Sequence, residues 1–159
     1  MNTTQTKKGF TIIEVVLVLA IAGLIFLMVF IALPALQSGQ RDNARKNDVS
    51  IVASAVNSFT SANRGADPVA NKAKVLTFIE NVSDNTDEAK IDIVSRPTSN
   101  TIAVGDSEVK VVVGAKCGTT GAKGTGGTAT QNLTQGTKRQ YATVTLLEGG
   151  KGSSFCQDS

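Results

Sequence analysis

The chain has 159 residues, a formal net charge of +3 and no histidine or tryptophan, and its length is typical of a single domain. The absence of histidine excludes a Ser-His-Asp or Cys-His catalytic centre and a His-ligated zinc site. The two cysteines, Cys117 and Cys156, form no C-x-x-C pair, which excludes a thiolate metal cage and a thioredoxin-type redox site. The composition therefore argues against an enzyme, and no cofactor or metal is expected.

A long apolar segment follows the first few residues. Val15 to Leu36 read VVLVLAIAGLIFLMVFIALPAL, without one charged or hydrogen-bonding side chain. About 20 apolar residues in a helix span the hydrocarbon core of a bilayer, and a helix satisfies its own backbone there. A secretory signal peptide is the competing interpretation, but its apolar region is usually about 7–15 residues long and ends at a small-residue cleavage site. We therefore expect a retained membrane helix.

The charges that flank this segment predict its orientation. Lys7 and Lys8 precede it, whereas the charges that follow it over residues 41–48 are nearly balanced. Basic residues favour the cytoplasmic side of a membrane, so we expect a cytoplasmic amino terminus and an external carboxyl-terminal domain. The two cysteines agree with this, because a disulfide persists outside the cytoplasm.

Glu14 interrupts the apolar character at the start of this segment. An ionisable residue inside a membrane helix is costly and points to a function, although a glutamate at headgroup depth need have none. Residues 7–14 read KKGFTIIE, a basic leader followed by glycine, phenylalanine and, four residues later, glutamate. This motif, at the start of an apolar helix, resembles the type IV pilin family and the related pseudopilins of type II secretion.

The resemblance implies roles for the residues of this motif. In the family, prepilin peptidase cuts after the glycine, here Gly9, and methylates the new amino-terminal residue, here Phe10. The glutamate, here Glu14, acts in filament assembly by pairing with the terminal amine of a neighbouring subunit. Thr11 is expected to act in filament assembly together with Glu14. Removing a leader of residues 1–9 would also take Lys7 and Lys8 from the 16 basic residues, against 13 acidic ones. The basic charge is thus partly a leader effect and does not indicate nucleic-acid binding.

Two residues within the apolar helix are candidate helix breakers. Gly23 is flexible, and Pro34 removes a backbone hydrogen bond and clashes with the preceding turn. A simple kink is one interpretation. By resemblance to the family, the segment from Gly23 to Pro34 is the candidate for a stretch of helix that melts in the filament.

The helix is expected to continue over residues 37–64 as an amphipathic segment. Apolar residues recur there at three- and four-residue steps and form one stripe. Its members are Val49, Val52, Ala55, Val56, Phe59 and Ala62. The charged residues over 41–48 are interpreted mainly as a solvated face, with the alternative that some form pairs between subunits.

Residues 65–159 are predicted to form a β-rich head. A second short helix is expected over Val69–Val82, with Val75, Leu76 and Ile79 facing inward. Strands are expected at Lys90–Ser95, Thr101–Val104, Val109–Gly114 and Gln140–Leu147, on the basis of β-branched residues. Residues 114–138 are rich in glycine and threonine, which predicts a long surface loop or a partly disordered insert.

Cys117 and Cys156 bracket this loop and the last predicted strand. Joined, they would tie the carboxyl terminus back to the sheet, and many pilins have a disulfide-closed loop in this region. Two unpaired buried thiols are the alternative.

The sequence as a whole predicts an α+β fold, a pilin-like lollipop with residues 10–36 as transmembrane and filament-core helix and a small antiparallel β-sheet head. The resemblance implies a type IV pilus subunit that waits in the cytoplasmic membrane and then polymerises with identical subunits into an extracellular filament for adhesion, twitching motility or DNA uptake. Implied partners are prepilin peptidase, an assembly platform and its ATPase, with a host surface or DNA as further candidates. A minor pilin, a type II secretion pseudopilin and a membrane-anchored monomeric adhesin are the alternatives. An anchored extracytoplasmic enzyme is a further alternative, against which the absence of histidine argues.

Overall fold

The computed structural model describes residues 9–82, 90–123, 126–149 and 153–159. Of the predicted leader, only Gly9 falls within these residues. The chain divides into two units, Met1–Gln37 and Ser38–Ser159. The fold class agrees with the prediction: a long apolar helix comes first, and a small, mainly antiparallel β-domain follows.

Helix α1 runs from Ile12 to Ala62, 51 residues, and is continuous through Gly23 and Pro34. In the first unit its large apolar side chains are exposed, among them Leu24, Phe26 and Phe30. This part of α1 is long and apolar enough to cross a membrane, by length and composition alone. Because so much apolar surface is unfavourable in water, it requires lipid or other protein around it.

In the second unit, one face of α1 is buried. Val49, Val52, Val56 and Phe59 are fully buried, as the stripe predicts, whereas Ala62 is exposed. The expectation that the charges before the stripe form a solvated face is wrong for Asp42 and Arg45, which are 8% and 9% exposed. Both lie on the same helical face as the stripe, because Arg45 is four residues before Val49 and Asp42 is seven residues before it.

Helix α2 spans Lys72–Val82, three residues shorter at its start than predicted. Pro68 and an Asp67 side chain that accepts from the Val69 amide (2.9 Å) form a turn there instead of helix. Val75 and Ile79 are buried as expected, and Leu76 is half-buried. The Phe59 and Phe78 rings meet edge to face, with centroids 5.7 Å apart, so α2 packs against α1.

The strands form two sheets. The four-stranded sheet has the order β1-β3-β6-β7 and consists of β1 (Ile91–Ser95), β3 (Val109–Val113), β6 (Tyr141–Leu146) and β7 (Ser154–Asp158). The three-stranded sheet has the order β2-β5-β4 and consists of β2 (Thr101–Val104), β5 (Ala129–Gln135) and β4 (Ala115–Lys123). All pairs are antiparallel except β1 with β3, which is parallel and departs from the predicted antiparallel sheet. Strands β1, β2, β3 and β6 confirm the predicted strands to within a residue at each end.

The predicted loop over residues 114–138 is wrong for most of its length, because β4 and β5 occupy it; residues 124 and 125 lie outside the described part of the chain. Two glycines that suggested a loop instead allow close strand pairing. A Cβ on Gly121 would lie 1.9 Å from the Thr130 carbonyl oxygen, and one on Gly118 would lie 2.8 Å from that of Asn132. In β5, alternate residues are buried, which is the period of a strand.

The four-stranded sheet lies between the helices of the second unit and the three-stranded sheet. Val111 packs with Val52 and Ile79 on the helix side, whereas Val112 and Val144 pack with Leu133 on the other side. Every residue of β6 is buried. The Tyr141 hydroxyl donates to the Ala53 carbonyl of α1 at 2.5 Å, so β6 is the strand that connects both halves of the core.

Cys117 of β4 and Cys156 of β7 form a disulfide with a Cα–Cα distance of 5.9 Å. Since β4 and β7 belong to different sheets, the bond links the two sheets. Unpaired thiols, the alternative considered for these two residues, are not present.

The buried charges of α1 bind the connection after β6. The Arg45 guanidinium donates to the Leu146 carbonyl at 2.8 Å, to Asp106 at 2.6 Å and to Glu148 at 2.5 Å. The Asp42 carboxylate accepts from the Glu148 amide at 2.6 Å and the Gly149 amide at 2.8 Å. These bonds satisfy polar groups that the packing of α1 removes from water.

We expect Arg45→Ala to lower the free energy of unfolding of the second unit by about 3 kcal/mol, because it leaves the Leu146 carbonyl and nearby carboxylates without their donor. Arg41→Ala is the matched control. Arg41 pairs with the same Glu148 at 2.7 Å, but its side chain is 57% exposed, so its loss should cost under about 1 kcal/mol. Urea unfolding of the full chain in detergent micelles measures the free energy of unfolding of both variants. Equal decreases in the two variants would contradict the claim that burial makes the Arg45 contacts more stabilising than those of Arg41.

Candidate functional site

Four of the residues singled out by the sequence lie at the start of α1. Gly9 and Phe10 precede the helix, Thr11 is its cap and Glu14 is in its first turn. Gly23 and Pro34 lie further along the same helix, and Cys117 and Cys156 lie in the second unit. The structure thus brings Gly9, Phe10, Thr11 and Glu14 into one short segment.

Nothing in the local structure requires a glycine at position 9. A Cβ placed there would meet no atom of the described residues within 4 Å, and the backbone is not in the left-handed region. The same holds for Gly23. A requirement for glycine at position 9 would therefore arise from a molecule that approaches the peptide bond after it, where a missing side chain gives access to the backbone.

Phe10 is 90% exposed, and Ile12 and Ile13 are also largely exposed. Together with the apolar residues that follow, they give α1 an apolar surface that begins immediately after Gly9. The bond between Gly9 and Phe10 thus separates the start of the chain from its apolar helix.

Thr11 and Glu14 cap the amino terminus of α1. Glu14 Oε2 accepts from the Thr11 amide and from the Thr11 hydroxyl, each at 3.0 Å, and the Glu14 amide approaches Thr11 Oγ1 at 3.4 Å. This reciprocal arrangement is a capping box. A carboxylate there is also stabilised by the positive end of the helix dipole.

This cap was not among the predicted features, although its signal, threonine followed three residues later by glutamate before an apolar run, is present in residues 11–14. Glu14 remains exposed while it caps the helix. Its carboxylate is therefore held in a fixed position by Thr11 and is open to a further donor.

The described residues contain no group of three or more His, Cys, Asp or Glu side chains that could hold a metal ion. The chemistry at this segment is that of an exposed peptide bond, an apolar helix and one carboxylate. Such an arrangement is suited to processing and to association.

Comparison with known proteins agrees with this geometry. A family model described as the prokaryotic N-terminal methylation motif matches residues 4–30, which include Gly9, Phe10 and Glu14. No curated protein and no solved structure matches the chain significantly. The match covers the start of the chain and much of its apolar helix, and it indicates a structural subunit. The chain carries the prokaryotic N-terminal methylation motif, the signature of the type IV pilins and pseudopilins.

Proposed function

We propose that this protein is the structural subunit of a type IV pilus. The observation that supports the proposal best is that the methylation motif leads directly into α1, whose apolar surface in the first unit is exposed. A surface of this kind is stable in lipid before assembly and among helices of other copies afterwards. No catalytic residue is needed for this role.

In this proposal, prepilin peptidase cuts after Gly9 and methylates Phe10. Gly9 favours cleavage because no side chain obstructs the peptide bond, and the exposed position of Phe10 leaves the new terminus accessible. Residues 1–9 are then the leader, and the mature chain begins at the apolar helix.

Assembly follows from the exposed helix and its carboxylate. Lipid and a bundle of apolar helices are similar surroundings, so hydrophobic transfer contributes little and helix packing guides association. A carboxylate and an ammonium in such surroundings are costly alone and tolerable as a pair. Glu14, positioned by Thr11, pairs with the terminal amine of a neighbouring Phe10, and this contact fixes the register between identical subunits. A head-to-tail contact that does not close on itself builds a helical filament.

The segment from Gly23 to Pro34 is the part of α1 that we propose to lose helicity in the filament. It is helical in the single chain. Pro34 leaves one backbone carbonyl without its helical donor, and glycine destabilises helix relative to alanine by about 1 kcal/mol. These two residues make the segment the weakest part of the apolar helix.

The location follows from the same elements. Before assembly, α1 anchors the chain in the cytoplasmic membrane with its amino terminus inside, and the second unit lies outside, where the Cys117–Cys156 disulfide persists. After assembly the protein is part of an extracellular filament used for adhesion, twitching motility or DNA uptake. An assembly platform and an ATPase supply the work.

A minor pilin or a type II secretion pseudopilin is the second candidate, because the motif is shared by both classes. The two candidates differ in abundance. The major subunit dominates purified fibres, whereas a minor pilin or pseudopilin is a small fraction of them or absent.

The intact mass of the protein in sheared surface fibres, with and without reductant, tests the proposal. We expect a chain that starts at Phe10, carries one added methyl group and gains two hydrogens on reduction. Protein that retains residues 1–9 and occurs only in membranes would contradict the proposal and favour a membrane-anchored adhesin.

A further inference from the structure

A basic cavity of about 460 Å³ lies within the second unit, at the carboxyl end of α1. Its rim carries three basic side chains, Arg64, Lys138 and Arg139. No acidic side chain lines it within the described part of the chain. A cavity of this size is in the range of about 300–1,000 Å³ that is usual for small-molecule sites.

The basic side chains come from two turns with defined geometry. Arg64 follows α1 in a left-handed conformation (φ 55°), and the turn is closed by the Gly65 amide, which donates to the Thr60 carbonyl at 2.7 Å. Lys138 and Arg139 lie in the connection from β5 to β6, which is closed by the Thr137 amide donating to Gln140 Oε1 at 2.9 Å.

The side chain of Arg139, from the second turn, contacts the backbone of the first turn. A Cβ on Gly65 would lie 3.6 Å from Arg139 Nε, so the guanidinium rests against the backbone of the first turn. None of the three basic side chains makes a hydrogen bond or ion pair with another residue in the described ranges. Three basic side chains that form no ion pair within the described ranges thus line one cavity, an arrangement that attracts an anion.

The rest of the lining differs from that of a bare anion site. Val113 adds a partly exposed apolar surface, whereas Tyr141 is almost entirely buried (3% exposed), and Asn57, Thr60 and Ser61 add an amide and two hydroxyls along α1. Hydroxyl and amide groups beside a small apolar surface suit the polar edges of a sugar ring, while arginines bind phosphate through two parallel hydrogen bonds. Inorganic phosphate alone would leave much of the cavity unfilled.

We propose that this cavity binds a sugar phosphate, with the phosphate held by Arg64, Lys138 and Arg139 and the sugar placed between Val113 and the polar side chains at the end of α1. The inference rests on the second unit alone and does not depend on processing at Gly9 or on filament formation. The two proposals can therefore fail independently.

Titration calorimetry of the full chain in non-ionic maltoside micelles at low salt tests this site with glucose 6-phosphate as the probe. We expect saturable binding that weakens as salt is added, because exposed charges are screened. Glucose and inorganic phosphate, each carrying half of the probe's chemistry, should bind at least about tenfold more weakly.

Arg64→Gln and Arg139→Gln should each weaken binding of glucose 6-phosphate about tenfold, the loss expected for one charged hydrogen-bonding group. Arg96→Gln is the matched control, since Arg96 lies between β1 and β2 and does not line the cavity; its affinity should equal that of the native chain. Lys138→Gln provides a further test, and circular dichroism establishes that each variant is folded. Absence of binding at millimolar probe, unchanged affinity in the cavity variants, or equal affinity for inorganic phosphate would overturn the assignment.

Discussion

Glu14→Ala should abolish incorporation into filaments while the protein still inserts into the membrane at the native level. Without the carboxylate, each docking subunit would bring an unpaired ammonium into apolar surroundings, at a cost of several kcal/mol. A penalty of this size at every addition step lowers the equilibrium for growth by more than about a hundredfold. Quantifying the protein in sheared fibres and in membrane fractions measures both effects.

The capping box allows the charge of Glu14 to be separated from its role in capping. Glu14→Gln keeps an oxygen that accepts from the Thr11 amide and hydroxyl but removes the charge, so it should also prevent assembly. Thr11→Val is the matched control, because it removes the hydroxyl contact and leaves the carboxylate; we expect filaments in reduced amount. Normal filaments from Glu14→Gln would show that pairing with the amine is not required.

Removal of the disulfide should give the largest loss of stability in the second unit. Cys117 and Cys156 are separated by 39 positions, and closing a loop of this size corresponds to about 4 kcal/mol in the chain-entropy description. We therefore expect the double variant Cys117→Ser/Cys156→Ser to unfold at lower urea concentration than the native protein. The near-ultraviolet signal of Tyr141, the only tyrosine in a chain without tryptophan, reports on the core.

Reductant supplies the control for this measurement. The reduced native protein should unfold at nearly the same urea concentration as the double variant. The unfolding curve of the double variant should not change when reductant is added. If reduction left the native unfolding curve unchanged, the link between the two sheets would contribute nothing to stability.

The parts of the fold that were predictable from sequence are those whose signal is local. The apolar run indicates α1 by its length, and β-branched residues indicate β3 and β6. In contrast, the burial of Arg45 depends on Asp106 and Glu148, which are 61 and 103 positions away. A short stretch of sequence around Arg45 contains neither of these partners. On local sequence alone, a charged residue on a helix is therefore predicted to face solvent.

The second sheet was missed for a different reason. Glycine is as typical of loops as of strands that approach each other closely, and only the positions of Thr130 and Asn132 reveal which applies to Gly121 and Gly118. The alternation of Ala129, Gln131 and Leu133 was a usable signal. Within the candidate site, the resemblance of the motif to a known family pointed to Gly9, Phe10 and Glu14. The capping box also had a local signal, the spacing of Thr11 and Glu14, and only its hydrogen-bond geometry needed atomic positions.

The central place of β6 has a consequence for when the second unit folds. Tyr141 bonds to Ala53, 88 positions earlier, so the core around α1 cannot close until β6 has been synthesised. At about 5–20 residues per second, this interval lasts roughly 4–18 s. In the proposed location the second unit lies outside the membrane, so the chain would cross the membrane unfolded, with the apolar stripe of Val49, Val52, Val56 and Phe59 uncovered during that time. Such a stripe is prone to aggregate, and a holding chaperone on the outer side of the membrane would have its strongest effect in those seconds.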